Sequence, residues 1–213
     1  MTDFDLAAFD AAWARFSAWL AANSPADQAT LQPAATGDAI ASLEARLGFP
    51  LHPELRALLE RHNGVDENWP VEPDGFQPGG FLPIGHRFSD IDAIVVAHKI
   101  FVDFGEDYGD DDEDDLLGHA HQWVQVAHPS NSGTVFIDHR PGPTYGHVYE
   151  MGIGSGAEDA TLWATSLSEL FDRLADALRT GAPFTYHWPT VHEHPSGQRC
   201  IQWEVRVPEY EGA

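Results

Sequence analysis

Residues 123–151 read WVQVAHPSNSGTVFIDHRPGPTYGHVYEM, and the fold follows from how this stretch is divided. Trp123-Val124-Gln125-Val126, Thr134-Val135-Phe136-Ile137 and His147-Val148-Tyr149-Glu150-Met151 are rich in β-branched and aromatic residues, which suits a pleated, half-buried surface. Between them stand Ser130-Asn131-Ser132-Gly133 and Arg140-Pro141-Gly142-Pro143, whose residue types favour tight turns. Three short strands joined by two short connections run up and down beside one another, so the stretch predicts an antiparallel meander.

Outward from the meander, the apolar spacing changes from strand to helix. Leu6, Phe9, Trp13, Phe16 and Leu20 form one stripe at helical period, ended by Asn23-Ser24-Pro25. Residues 24–37, with Pro25, Pro33 and Gly37, read as a polar linker. A second helix carries Ile40, Leu43 and Leu47 on one face, with Thr36 or Asp38 as cap and Gly48 as its left-handed stop. A third starts at Pro53, points Leu55, Leu58 and Leu59 inward and closes at His62-Asn63-Gly64. Residues 64–80 read as a long Gly- and Pro-rich loop, and Phe81-Leu82-Pro83-Ile84 as an edge strand at most, because Pro cannot donate to a ladder. Ile91, Ile94, Val95, His98 and Val102 suggest a fourth helix capped by Ser89 or Asp90, with a strand as the alternative because of the β-branched content. Ser166-Leu167-Ser168-Glu169 is a capping box that opens a last helix, stopped by Gly181 and Pro183. Two further strands flank His194-Pro195-Ser196-Gly197. The expected fold class is therefore α+β: a central, mostly antiparallel sheet flanked by helices, with a C-terminal β-hairpin extension. Residues 1–183 are expected to form the main domain, and 184–213 a hairpin packed on the same domain.

Charge narrows the partners. Against 34 Asp and Glu the chain has 11 Lys and Arg, a formal charge of −23. A surface this negative repels phosphate backbones and anionic lipid heads, so neither nucleic acid nor membrane is expected as a partner. A basic protein, in contrast, is attracted. The chain starts Met-Thr-Asp-Phe-Asp-Leu, without a basic or apolar leader, and predicts a cytoplasmic protein. Of the thirteen residues 103–115, nine are acidic and none is basic. The block is expected on a solvated loop, and it reads both as a bare solvated insertion and as a contact surface for a basic partner. An EF-hand register fails: counted from Asp107, the sixth position is Asp112 and the twelfth Gly118, where Gly and Glu are needed.

Chemistry-bearing patterns are weak elsewhere. His119-Ala120-His121 and His192-Glu193-His194 are His-x-His pairs without the helical spacing of a zinc peptidase, so no metal site and no cofactor are expected. Ser155 has Ile153 where a nucleophile elbow needs Gly. Cys200, the single cysteine, lies in an alternating strand and reads as a core thiol. No catalytic residue is expected. Trp69, in a loop beside Asp66, Glu67 and Asn68, reads as an interface anchor or as an aromatic closing the loop over the core.

The order of these motifs resembles the SUKH superfamily, which includes bacterial toxin-immunity proteins and fungal regulators of cell-wall assembly. The resemblance rests on the helix Asp38 to Leu47 followed by Gly48-Phe49-Pro50-Leu51-His52-Pro53-Glu54-Leu55, on Leu58 through His62-Asn63-Gly64, and on Trp123 to Val148 with Gly133, Asp138, Pro141-Gly142 and Gly146. It spans about residues 13–180, and His52 interrupts the usual Leu-Pro pair. The resemblance implies a non-enzymatic protein-binding module, an immunity protein that neutralises a basic toxin domain, with a regulatory or scaffold protein as the alternative; the His-x-His pairs and nearby acids give a metal-dependent hydrolase as a third reading. Expected partner-binding residues are Asp66, Glu67, Asn68 and Trp69 in one loop, and Glu106, Asp107, Asp110, Asp111, Asp112, Glu113, Asp114 and Asp115 in the acidic block.

Overall fold

The computed structural model describes residues 6–67, 77–108, 116–129, 133–152 and 160–205. Chain order is α1 (Ala7–Asn23), α2 (Pro25–Thr30), α3 (Gly37–Leu47), α4 (Pro53–Leu59), β1 (Arg87–Phe88), α5 (Ile91–Tyr108), β2 (Trp123–His128), β3 (Thr134–Asp138), β4 (Val148–Met151), β5 (Thr161–Ala164), α6 (Leu167–Thr180), β6 (His187–Glu193) and β7 (Arg199–Val205). The first five strands form one sheet in sequence order with every neighbour antiparallel, and β6 and β7 form a separate hairpin. The α+β class and the meander are as the sequence predicts.

Alternation along the strands divides the core between the two faces of this sheet. Val124, Val126, Val135, Ile137 and Val148 belong to the larger cluster, with α1, α3, α4 and α6 supplying Phe9, Phe16, Leu43, Leu58 and Phe171. Trp123 and Phe136 point the other way and meet Ala97 and Phe101 of α5. Their rings stack with centroids 4.0 Å apart, and Phe101 closes edge-on over Trp123 at 5.6 Å. So the middle of α5 covers one face of the sheet, while Ile94 nearer its start joins the larger cluster that the remaining long helices build on the other. No helix among the described residues is long and apolar enough to cross a membrane.

Local chemistry sets the helix ends. Thr36 Oγ1 accepts the Ala39 amide, Asp90 Oδ1 accepts that of Ala93, and Ser166 Oγ accepts that of Glu169. Gly48 and Gly181 end α3 and α6 in the left-handed conformation. Gly64 has φ +75°, and a Cβ there would lie 2.6 Å from the Asp90 amide nitrogen, so only glycine lets this loop reach the start of α5. The His52 departure also has a role. Its ring accepts the Glu54 amide at the start of α4 and packs on Tyr145, with centroids 4.8 Å apart. The His52 amide in turn donates to His139 Nε2 at 2.8 Å, which puts the neutral ring's proton on Nδ1, facing the Ile137 carbonyl. Burial holds both imidazoles at about 4.

Several expectations change. Pro25–Thr30, expected as linker, forms α2, because Pro fits the first turn of a helix. Pro83–Gly85 is a 3₁₀ turn, and the edge strand falls at Arg87–Phe88 instead. The acidic block is not loop throughout: α5 continues through Asp103 to Tyr108, held by Phe101 on its buried side, and 109–115 lie outside the described residues. Strand β5 escaped the sequence reading because Thr161-Leu162-Trp163-Ala164 is short and sits against a Gly-rich stretch. The hairpin rests on α2: Asp27 accepts the Ile201 amide at 2.6 Å and the Gly79 amide at 2.8 Å, and Ser24 Oγ donates to it as well. Burial is the largest influence on Asp27 and raises it to about 6.

Candidate functional site

Helix α5 places its residues by period. Ile94, Ala97 and Phe101 are buried against the sheet, while Asp92, Val96, Lys99, Ile100, Asp103, Glu106 and Asp107 are exposed along the opposite side. Val96 and Ile100 are each 59% exposed, one turn apart, and neither touches the core. Four acids and the chain's single lysine surround them. Among the described residues none of these four acids forms an ion pair.

Two of the acids, Glu106 and Asp107, also stand at the wrong end of their helix. A helix C-terminus carries partial negative charge and favours cations. The last turn of α5 has no basic residue, and Glu106 and Asp107 lie within it. Each such placement costs about 0.3–1 kcal/mol. By comparison, α3 and α6 have Asp38 and Glu169 in their first turns and Arg46 and Arg179 in their last. Gly105 matters here: a Cβ would lie 3.2 Å from the Leu117 carbonyl, so its absence lets the 3₁₀ turn Leu117–Gln122 cross α5 closely.

Four of the expected partner-binding residues are described, and they fall at the two ends of α5. Asp66 and Glu67 are exposed, with the Asp66 amide held by the Thr30 carbonyl and Glu67 Oε1 2.9 Å from His128 Nε2. They follow Gly64, which abuts the start of α5. Glu106 and Asp107 lie at its other end, about 24 Å along the axis at 1.5 Å rise per residue. Asn68, Trp69, Asp110, Asp111, Asp112, Glu113, Asp114 and Asp115 lie outside the described residues. The two predicted stretches are thus not in contact through their described members; the exposed side of α5 runs between them. Sequence reading missed Asp92, Val96 and Ile100. The available signal was that 94–102 is apolar on more sides than a single buried stripe requires.

Other candidates give no reactive constellation. Among the described residues no group of three or more His, Cys, Asp or Glu is placed to hold a metal ion. His119 and His121 sit on the 3₁₀ turn with ring centroids 6.1 Å apart. Cys200 is buried beside Ala26. Glu54 is a buried carboxylate whose task is structural: it accepts the Leu167 amide at 2.8 Å and the Ser168 hydroxyl, which ties α4 to the start of α6.

No curated protein matches the chain. The SMI1 / KNR4 family (SUKH-1) matches it over residues 34–173, from the approach to α3 through the first half of α6, which contains α5 and the entire meander. The chain belongs to the SMI1 / KNR4 family (SUKH-1).

Proposed function

We propose that this chain is a protein-binding module of the immunity type, which neutralises a basic toxin domain by covering it with the outer side of α5. The observation that carries the proposal is an uncompensated acidic helix face, retained against its own dipole and interrupted by two exposed aliphatic residues. A stability role does not account for that pattern, because both the charges and the apolar exposure oppose folding. A binding role accounts for both. Acids steer a basic partner, and Val96 and Ile100 supply the apolar centre that a rim of charge surrounds. Asp66 and Glu67 extend this surface at the start of α5, and Glu106 and Asp107 extend it at the end. Membership of a family that includes immunity and regulatory proteins supports the partner class. The work is done by association, with no bond made or broken.

The test is association with the basic domain of a toxin encoded beside this chain. Binding should weaken steeply as salt rises, and the toxin's activity should fall in step with occupancy. Retention of no such domain, or inhibition that is indifferent to salt, would remove the reading.

A further inference from the structure

A second site lies on the opposite side of the molecule's charge logic. A cavity of about 460 Å³ opens between the Pro83–Gly85 turn and β7, and Arg87 lines it. Arg87 is only 7% exposed, and its Nε is enclosed with no hydrogen-bond partner. The other described half-buried arginines are engaged: Arg56, Arg61 and Arg140 meet carboxylates, while Arg199 donates to the Ala22 carbonyl. Asp27 is the carboxylate whose field Arg87 feels, yet it takes its hydrogen bonds from Ser24, Gly79 and Ile201, and no ion pair joins it to Arg87. An enclosed Nε–H without an acceptor is expensive, and the natural complement of a guanidinium is an anion.

The walls indicate which anion. Trp203 stands at the side of the cavity, its indole nitrogen donating to the Phe81 carbonyl at 2.8 Å. Ile84 and Val205 add exposed apolar surface at the rim, and Ile84 holds φ 63°, a left-handed conformation that a β-branched residue rarely adopts. Glu204 also lines the cavity, so a doubly charged phosphate meets more repulsion there than a single carboxylate does. A planar carboxylate also matches the guanidinium fork. The backbone contributes as well. The Ile201 amide points away from β6 to reach Asp27, so by the two-residue period Trp203 and Val205 turn their amides to the same outer edge, beside the cavity.

We propose that this cavity binds the side-chain carboxylate of an acidic peptide whose extended backbone adds to the Trp203–Val205 edge of β7. Arg87 takes the carboxylate, and the strand edge takes the main chain, the usual division between specificity and affinity in strand addition. The experiment follows the Arg87 Nε–Hε resonance of the full-length chain during titration with acetyl-Thr-Glu-Val-amide, with acetyl-Thr-Gln-Val-amide and with sodium acetate. The Glu peptide should move that resonance together with the Trp203 and Val205 amides, saturably, and at least tenfold more tightly than the Gln peptide. Arg87→Gln, checked for a cooperative melt, should abolish the response. An acetate response equal to that of the Glu peptide, with Trp203 and Val205 unmoved, would overturn the peptide as occupant. No response to either carboxylate would overturn the site itself.

Discussion

Helices α5 and α6 lie on opposite faces of one sheet and treat charge in opposite ways. On α6, Asp172 and Asp176 meet Arg15 of α1, and Arg179 stands in the last turn, where the dipole favours it. Nearby Arg61 pairs with Asp10, and Arg56 with Glu44 and Glu60. On α5 a single lysine stands among Asp92, Asp103, Glu106 and Asp107. Arg15, Arg56, Arg61 and Arg179 thus pair with carboxylates on the α1–α6 side, whereas the described acids of α5 form no ion pair. The charges of one helix are paired within the fold; those of the other are left for the positive partner of the proposed function.

The comparison can be broken first at the core. Leu58→Asp puts a charge into the larger cluster on the α6 side, and circular dichroism should show no cooperative transition at all. Val96→Asp, on the exposed side of α5, should melt within a few degrees of the parent. A folded Leu58→Asp protein would mean that the α4 face does not carry the core. Next in size, Phe101→Ala removes the ring that closes over Trp123 and Phe136, and should cost about 3–5 kcal/mol in urea unfolding. A loss under about 1 kcal/mol would show α5 to be loosely attached, not a firm platform.

Acid titration sharpens the picture further. His52, His86 and His139 are held near 4 by burial, below the ordinary 6.5, so the unfolded chain binds more protons than the folded one between those values. Their contribution to stability is present above 6.5 and is lost as pH falls towards 4. Asp27 works in the other direction: raised from 3.8 to about 6, it favours the folded state below that range and loses its contribution as pH rises through 6. Three histidines outweigh one aspartate, so the melting temperature should fall from pH 6.5 to 4. Asp27→Asn removes the opposing contribution and should make that fall steeper; a shallower one contradicts the assignment. The smallest effect belongs to the α5 acids. Replacing Asp103, Glu106 and Asp107 together by Ser should leave stability unchanged or raise it by up to about 2 kcal/mol, because Glu106 and Asp107 oppose the helix dipole and the three acids repel one another.

How much of this was legible in the sequence depended on what sets each feature. The α1 stripe, the caps at Thr36 and Ser166 and the meander are dictated by local residue types, and they stand where the spacing put them. Helix α2 was hidden because six residues behind a proline carry too little periodicity to register. The continuation of α5 into the acidic block was hidden for a different reason. Asp103, Glu106 and Asp107 repel one another, and only tertiary support from Phe101 and the close crossing at Gly105 holds them helical. Of the candidate surface, the charge was visible in the sequence, whereas the exposure of Val96 and Ile100 was not. Aliphatic residues in a helix read as core until the sheet shows which side it covers. Arg87 gave no signal at all, since an arginine in a short edge strand becomes informative only once its Nε is seen to be enclosed without a partner.

The central claim is that α5 presents the partner-binding face and α6 does not. The direct measurement is the affinity of two charge variants for the basic toxin domain encoded alongside, at low and at physiological salt. Reversing Asp103, Glu106 and Asp107 to Lys should weaken binding by more than about tenfold and flatten its salt dependence, because the steering field is gone. Reversing Asp172 and Asp176 on α6 should leave affinity within about twofold. Equal binding by the α5 variant and the parent, or a loss confined to the α6 variant, would contradict the account.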